Sequence, residues 1–177
     1  MQIWLSKDNI PMIMHGGDNG ELKDYGYPND YVFDWTSKDL MERLDIGEGE
    51  RMPTLEMLLK EAVKRPNMLL NIELKAPADE AVAPRYNMKL AAQIVINMIN
   101  EYQMTRQIMM SSFNMKVIKA VHEATEGRRD IFVQSLRNFD TGPDPADYTV
   151  DESMHGVNLI YSQLSKRSIE RVRSQGS

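Results

Sequence analysis

Residues 53–75 spell out a complete helix-then-strand unit, and no other stretch constrains the fold as tightly. Thr54, following Pro53, opens a helix over residues 55–64, and Pro66 prevents its continuation. From Met68 the pattern changes to period two. Met68, Leu70, Ile72 and Leu74 share one face, while Asn71, Glu73 and Lys75 share the other. The apolar set is suited to packing beneath helices, and the polar set to pointing inward from a curved sheet.

The same alternation of strand and helix runs along the chain. Residues 1–14 read as a strand, a turn at Lys7-Asp8-Asn9, and a second short strand ending at His15. Residues 15–34, rich in Gly, Asp, Asn and Tyr, show no sustained period and read as a long loop. Thr36 or Ser37 caps a short helix over 38–44. Tyr86, Leu90, Ile94 and Met98 recur at helical spacing within a long helix over 84–103. Strands follow at 107–111, 131–135 and 157–160, with a helix over 114–124 and a last helix from Ser165 to Arg173. Such an order argues for a parallel sheet with right-handed crossovers. No repeat or linker divides the chain, so residues 1–177 read as one domain.

Composition excludes several function classes. With 42% hydrophobic residues and 177 residues in all, the chain can bury a real core. The net charge of −5, with Lys and Arg interspersed among Asp and Glu, offers no basic field for nucleic acid. There is no Cys, which rules out disulfides and thiolate metal sites and fits an intracellular reducing compartment, cytoplasm or organelle matrix. No apolar run is long enough to span a bilayer, and no secretory signal is visible. The fourteen Met residues read as core filling.

Several segments together resemble the glycerophosphodiester phosphodiesterase family: Leu5-Ser6-Lys7-Asp8 with His15, Leu44-Asp45-Ile46-Gly47, Pro53-Thr54-Leu55-Glu56, Asn71-Ile72-Glu73-Leu74-Lys75, Ser111-Ser112-Phe113 and Gly156-Val157-Asn158-Leu159. The resemblance implies a TIM (β/α)8 barrel of the α/β class and a metal-dependent hydrolase that converts glycerophosphodiesters to glycerol 3-phosphate and an alcohol. It implies that His15 is an acid or base on the phosphodiester, a role suited to a group titrating near neutrality. It further implies that Glu73 ligates Ca²⁺ or Mg²⁺ and that Lys75 contacts phosphate, acting in both binding and catalysis. Ser112 and Phe113, at a strand end, would line the substrate pocket. Read without the resemblance, Glu73 and Lys75 could equally form an internal ion pair, and Phe113 could belong to the core. Where the family commonly has His-Asp, this chain has His15-Gly16-Gly17-Asp18, which reads as a more flexible loop.

About five main strands are visible, against eight in a closed barrel of typically ~250 residues. The family's opening His-Arg-Gly strand, its early Glu and its Glu-Xaa-Asp pair have no counterpart in residues 1–177, nor do its closing strands. His122 and His155 lie in no motif that would bring them beside His15, and both read as structural. The expectation is therefore an incomplete barrel, nearly inactive by itself, with a divalent metal as the cofactor the resemblance implies and no cofactor in this chain as the alternative. An alternative reading is an inactive barrel remnant, a structural subunit whose open edges a protein partner covers.

Overall fold

The computed structural model describes residues 1–137, 153–159 and 166–175. Strands β1 (Gln2–Leu5), β5 (Leu70–Leu74), β6 (Ile108–Ser112), β7 (Phe132–Arg137) and β8 (Gly156–Leu159) run parallel in that spatial order. The short β2 (Pro11–Ile13) turns back antiparallel on the outer side of β1. Helices α2 (Leu55–Ala62), α3 (Met88–Glu101) and α4 (Met115–Ala124) supply the crossovers, with α1 (Ser37–Arg43) before them and α5 (Lys166–Gln175) after β8. The result is an α/β architecture whose mostly parallel sheet follows from the alternation of patterns and forms an incomplete barrel, the fold that the resemblance implies.

Local chemistry sets the helix starts. The side chains of Thr36, Thr54, Asn87 and Asn114 each accept a backbone N–H of the first turn, from Asp39, Met57, Leu90 and Lys116. Each such cap stabilises its helix by about 1 kcal/mol. The capping Asn87 also explains why α3 begins at Met88, after a separate 3₁₀ turn at Ala83–Arg85, and not at 84. Ser165 and Ile160 lie outside the described residues.

The helix-facing side of the sheet is apolar. Leu70, Ile72 and Leu74 are buried together with Ile108, Met110 and Val133 beneath Ala91, Val95 and Ile99 of α3 and Val117 and Val121 of α4. Burying one such large side chain contributes about 1.5–3 kcal/mol. Met12, Met14, Met52, Met104, Met110 and Met154 are all core residues.

One segment departs from its sequence pattern. Residues 15–34 are not a bare loop: they fold into a small two-stranded hairpin, β3 (Glu21–Leu22) with β4 (Tyr27–Tyr31), flanked by 3₁₀ turns. Leu22 and Val32 are fully buried, and Tyr27 stacks edge-on against Trp35 at 4.6 Å. Strands this short, broken by a register shift, leave no readable period.

Register along the inner face aligns a row of polar positions. Gln2 pairs with Glu73, Glu73 with Ser111, Ser111 with Gln134 and Gln134 with Gly156. Since side chains alternate along each strand, these residues share the face opposite the helices.

Candidate active site

A cavity of about 600 Å³ opens at the carboxyl ends of β5 and β6, the end of a parallel sheet where barrel chemistry is placed. His15, Glu73, Lys75, Ser112 and Phe113 all line it. Residues nearly a hundred positions apart are thus brought to one wall by the β5–β6 pairing and by the turn-back of β2.

Glu73 stands at the centre of this wall. The amide Nε2 of Gln2 donates to its Oε2 at 3.0 Å, while its Oε1 is buried and has no hydrogen-bond partner. Lys75, two residues on, lies on the same face about 7 Å further along the strand. Among the described residues there is no Glu73–Lys75 ion pair and no other acidic partner for Lys75. Its ammonium stands 5.9 Å from the centre of the Trp4 ring, within the range of a cation–π attraction that holds the side chain toward the cavity.

His15 reaches the cavity from the segment after β2. Its backbone carbonyl accepts the indole N–H of Trp4 at 2.9 Å. Gly16 and Gly17 follow with φ of +63° and +54°. A Cβ on Gly16 would lie 2.6 Å from Trp4 Nε1, and one on Gly17 would collide with the Glu21 carboxylate. The two glycines that read as loosening the loop are therefore demanded by close approach. Asn19 ties this loop to the segment after β5. Its Oδ1 accepts the Asp79 N–H at 2.8 Å and its amide donates to Glu21 Oε1 at 3.0 Å. Glu21 lies below the ordinary carboxylate range: burial pushes it up, but the Asn19 backbone and side-chain donors outweigh that.

Ser112 and Phe113 differ in availability. The Ser112 hydroxyl donates to Leu74 O at 2.7 Å and accepts the Asn114 N–H at 3.2 Å, so it ties β6 to β5 and to the start of α4. Phe113 is 56% exposed at the cavity mouth and is not core.

Gln2 and Asn114 also line the cavity and had not stood out in the sequence, and Asp18, which the sequence offered only as the end of the His15-Gly16-Gly17-Asp18 loop, lines it too. Position in register with Glu73 was the only signal for Gln2, and it depends on strand pairing. His122 lies on α4. His155 stacks on Phe132 with ring centroids 5.2 Å apart, and its Nδ1 accepts the Val133 N–H at 3.0 Å. Neither residue lines the cavity.

The fold and this site define an α/β protein, an incomplete barrel with a polar pocket at the carboxyl strand ends. The model of the glycerophosphoryl diester phosphodiesterase family matches residues 2–177, and the chain belongs to that family. Solved structures agree in fold. A Galdieria sulphuraria protein assigned as a glycerophosphodiester phosphodiesterase superposes with a TM-score of 0.79 at 22% identity, over 99% of this chain and 67% of its own. A glycerophosphodiester phosphodiesterase from Parabacteroides distasonis gives 0.74 at 21% identity, over 99% and 66%. One from Agrobacterium tumefaciens gives 0.67 at 15%, over 99% and 69%. The chain thus spans about two thirds of the length of these solved chains. No curated protein matches it.

The family generally uses a divalent metal. Hard cations take six to eight oxygen ligands, several of them carboxylates. Here one oxygen of Glu73 is committed to an amide donor, and among the described residues no three His, Asp or Glu side chains are grouped to hold a metal ion. The residues present do not compose such a site.

Proposed function

We propose that this pocket recognises glycerophosphodiesters and that its chemistry is phosphodiester hydrolysis, releasing glycerol 3-phosphate and an alcohol. The observation that carries this reading is the convergence of His15, Glu73 and Lys75 on one cavity at the carboxyl strand ends. Lys75, with no acidic partner among the described residues, offsets the charge of the phosphate and of the additional negative charge that develops as the diester is attacked. His15, exposed and lining the cavity, gives a proton to the departing alcohol oxygen in this reading. Phe113 offers an apolar surface at the entrance. Ser112 acts indirectly, by fixing the strand ends that position Lys75.

Release of glycerol 3-phosphate from glycerophosphocholine tests the reading, with Ca²⁺, with Mg²⁺ and with chelator, beside a His15→Ala control. Turnover that disappears in the control is the expected result. Turnover equal in both proteins would refute the role of His15, and no turnover under any condition would refute hydrolysis by this chain.

A second reading, a structural subunit, has one observation in its favour: among the described residues β2 and β8 are the two edges of the six-stranded sheet, with no further strand paired on them, and unpaired edges suit cover by a protein partner.

A further inference from the structure

We infer that Glu21 is a positioning residue for this pocket: its carboxylate folds the loop that carries His15 and, through Asn19, ties that loop to the segment that carries Lys75. The inference rests on the reading of the cavity as the reactive pocket and names what holds two of its walls in register.

Two separate stretches of chain contribute these walls. His15 and Asp18 come from the loop after β2, and Lys75, Ala76 and Ala78 from the segment at the end of β5. Two hydrogen bonds join the stretches: the Ala78 N–H donates to Asp18 O at 3.1 Å, and the Asp79 N–H donates to Asn19 Oδ1 at 2.8 Å. The first is backbone to backbone and is available to any residue at position 18. The second needs a side-chain acceptor, correctly turned. An Asn that presented its NH₂ to Asp79 would set donor against donor.

Glu21 decides that orientation. Its two oxygens take both donors of Asn19, the backbone N–H on Oε2 at 2.8 Å and the side-chain NH₂ on Oε1 at 3.0 Å. Burial pushes the Glu21 carboxyl up, but the Asn19 donors more than offset this, so at neutral pH it is ionised and can only accept. The amide oxygen of Asn19 is thereby left facing Asp79. Both ends of the tie are anchored. Glu21 begins β3 and pairs with Tyr31 of β4, next to the fully buried Leu22. Asp79 heads a turn, its Oδ1 accepting the Ala81 N–H at 2.7 Å and its carbonyl the Ala83 N–H at 2.9 Å. The hairpin's packing is thus transmitted through Glu21 and Asn19 to the relative placement of His15 and Lys75.

Nuclear magnetic resonance of the full chain tests this, beside turnover of glycerophosphocholine. Glu21→Gln keeps the size of the side chain and removes one of two acceptors, and Asn19→Ala removes the bond to Asp79. Each should speed exchange of the Asp79 amide about tenfold, the equivalent of one hydrogen bond, with exchange at Ile72 in β5 unchanged. Each should also move the His15 imidazole resonance at fixed pH and leave those of His122 and His155, which do not line the cavity, where they are. In turnover, kcat should fall about 10- to 100-fold with KM nearly unchanged, as expected when a reacting group is misplaced and the phosphate contact is kept. Asn19→Ala carries the test by itself if Glu21→Gln does not fold. An unchanged Asp79 amide or an unmoved His15 resonance overturns the inference, whatever the turnover. Absence of turnover in the unaltered chain overturns the hydrolytic reading and leaves the two resonance measurements to decide this one.

Discussion

The indole N–H of Trp4 donates to the backbone carbonyl of His15 at 2.9 Å, and so a fully buried core residue of β1 sets the position of an exposed histidine at the cavity mouth. Gly16 permits this by bringing the chain within reach of the ring. Gly16→Ala is expected to destabilise the protein by about 1–3 kcal/mol, since it adds a Cβ 2.6 Å from Trp4 Nε1 at a residue with φ of +63°. In a Trp4→Phe background, where the clashing ring atom is gone, the same change should cost about 1 kcal/mol less. Urea unfolding of the four proteins measures the coupling, and strictly additive losses would count against the contact.

Lys75 carries the cavity's principal positive charge. Lys75→Met is expected to weaken glycerol 3-phosphate binding about 10- to 100-fold, the value of a charge-assisted hydrogen bond, with little change in unfolding midpoint. Added salt should weaken the unaltered protein's binding and leave the variant's nearly unchanged. Calorimetry at two ionic strengths checks both.

Asp8 ties the β1–β2 turn to the start of α1. Its Oδ1 accepts the Ser6 hydroxyl at 2.6 Å and the Ser37 N–H at 2.7 Å, and its Oδ2 the Ser37 hydroxyl at 2.8 Å. Burial raises its carboxyl, but the Ser6 and Ser37 donors outweigh that and hold it below the ordinary range. A depressed carboxyl stabilises the fold fully above the unfolded value near 4, and that contribution is lost as pH falls through the lowered folded value. Asp8→Ala should cost about 1–2 kcal/mol at pH 7, discounted for exposure, and the difference should shrink below about pH 4. Denaturant midpoints from pH 7 to pH 3 give the slope.

His155 should produce a second pH dependence, at a different place in the titration range. Burial, then the charge of Arg129, lowers its imidazole below the ordinary value. A depressed histidine favours the fold while neutral, so its contribution is complete above the unfolded value of about 6.5 and declines as pH falls from there. His155→Gln should flatten the stability profile between about pH 7.5 and 5.5. An unchanged slope in the variant would mean that His155 does not titrate within the fold.

Much of the fold was legible because it rests on short-range chemistry. The caps at Thr36, Thr54 and Asn114 lie within three residues of the amides they satisfy, and the apolar face of β5 follows from period two alone. The hairpin in residues 15–34 was not legible, because β3 has two residues and its stability comes from Leu22, Val32 and Trp35 packing against distant parts of the chain. Gly16 and Gly17 read as looseness for the same reason: the obstacle that requires them, Trp4, is far away in sequence for Gly16, and Glu21 closes on Gly17 only once the loop has folded.

The sequence by itself determined the alternation of strands and helices, the inward placement of Glu73 and Lys75, and the family, since each is carried by residue types at fixed short spacing. Only the tertiary structure decided that Gln2, and not Lys75, is the partner of Glu73. Two residues at i and i+2 on a strand point the same way but stand about 7 Å apart, whereas residues paired across parallel strands lie about 4.8 Å apart, within reach of a hydrogen bond. Strand pairing is a long-range choice made by the whole sheet, and the character of this pocket depends on it.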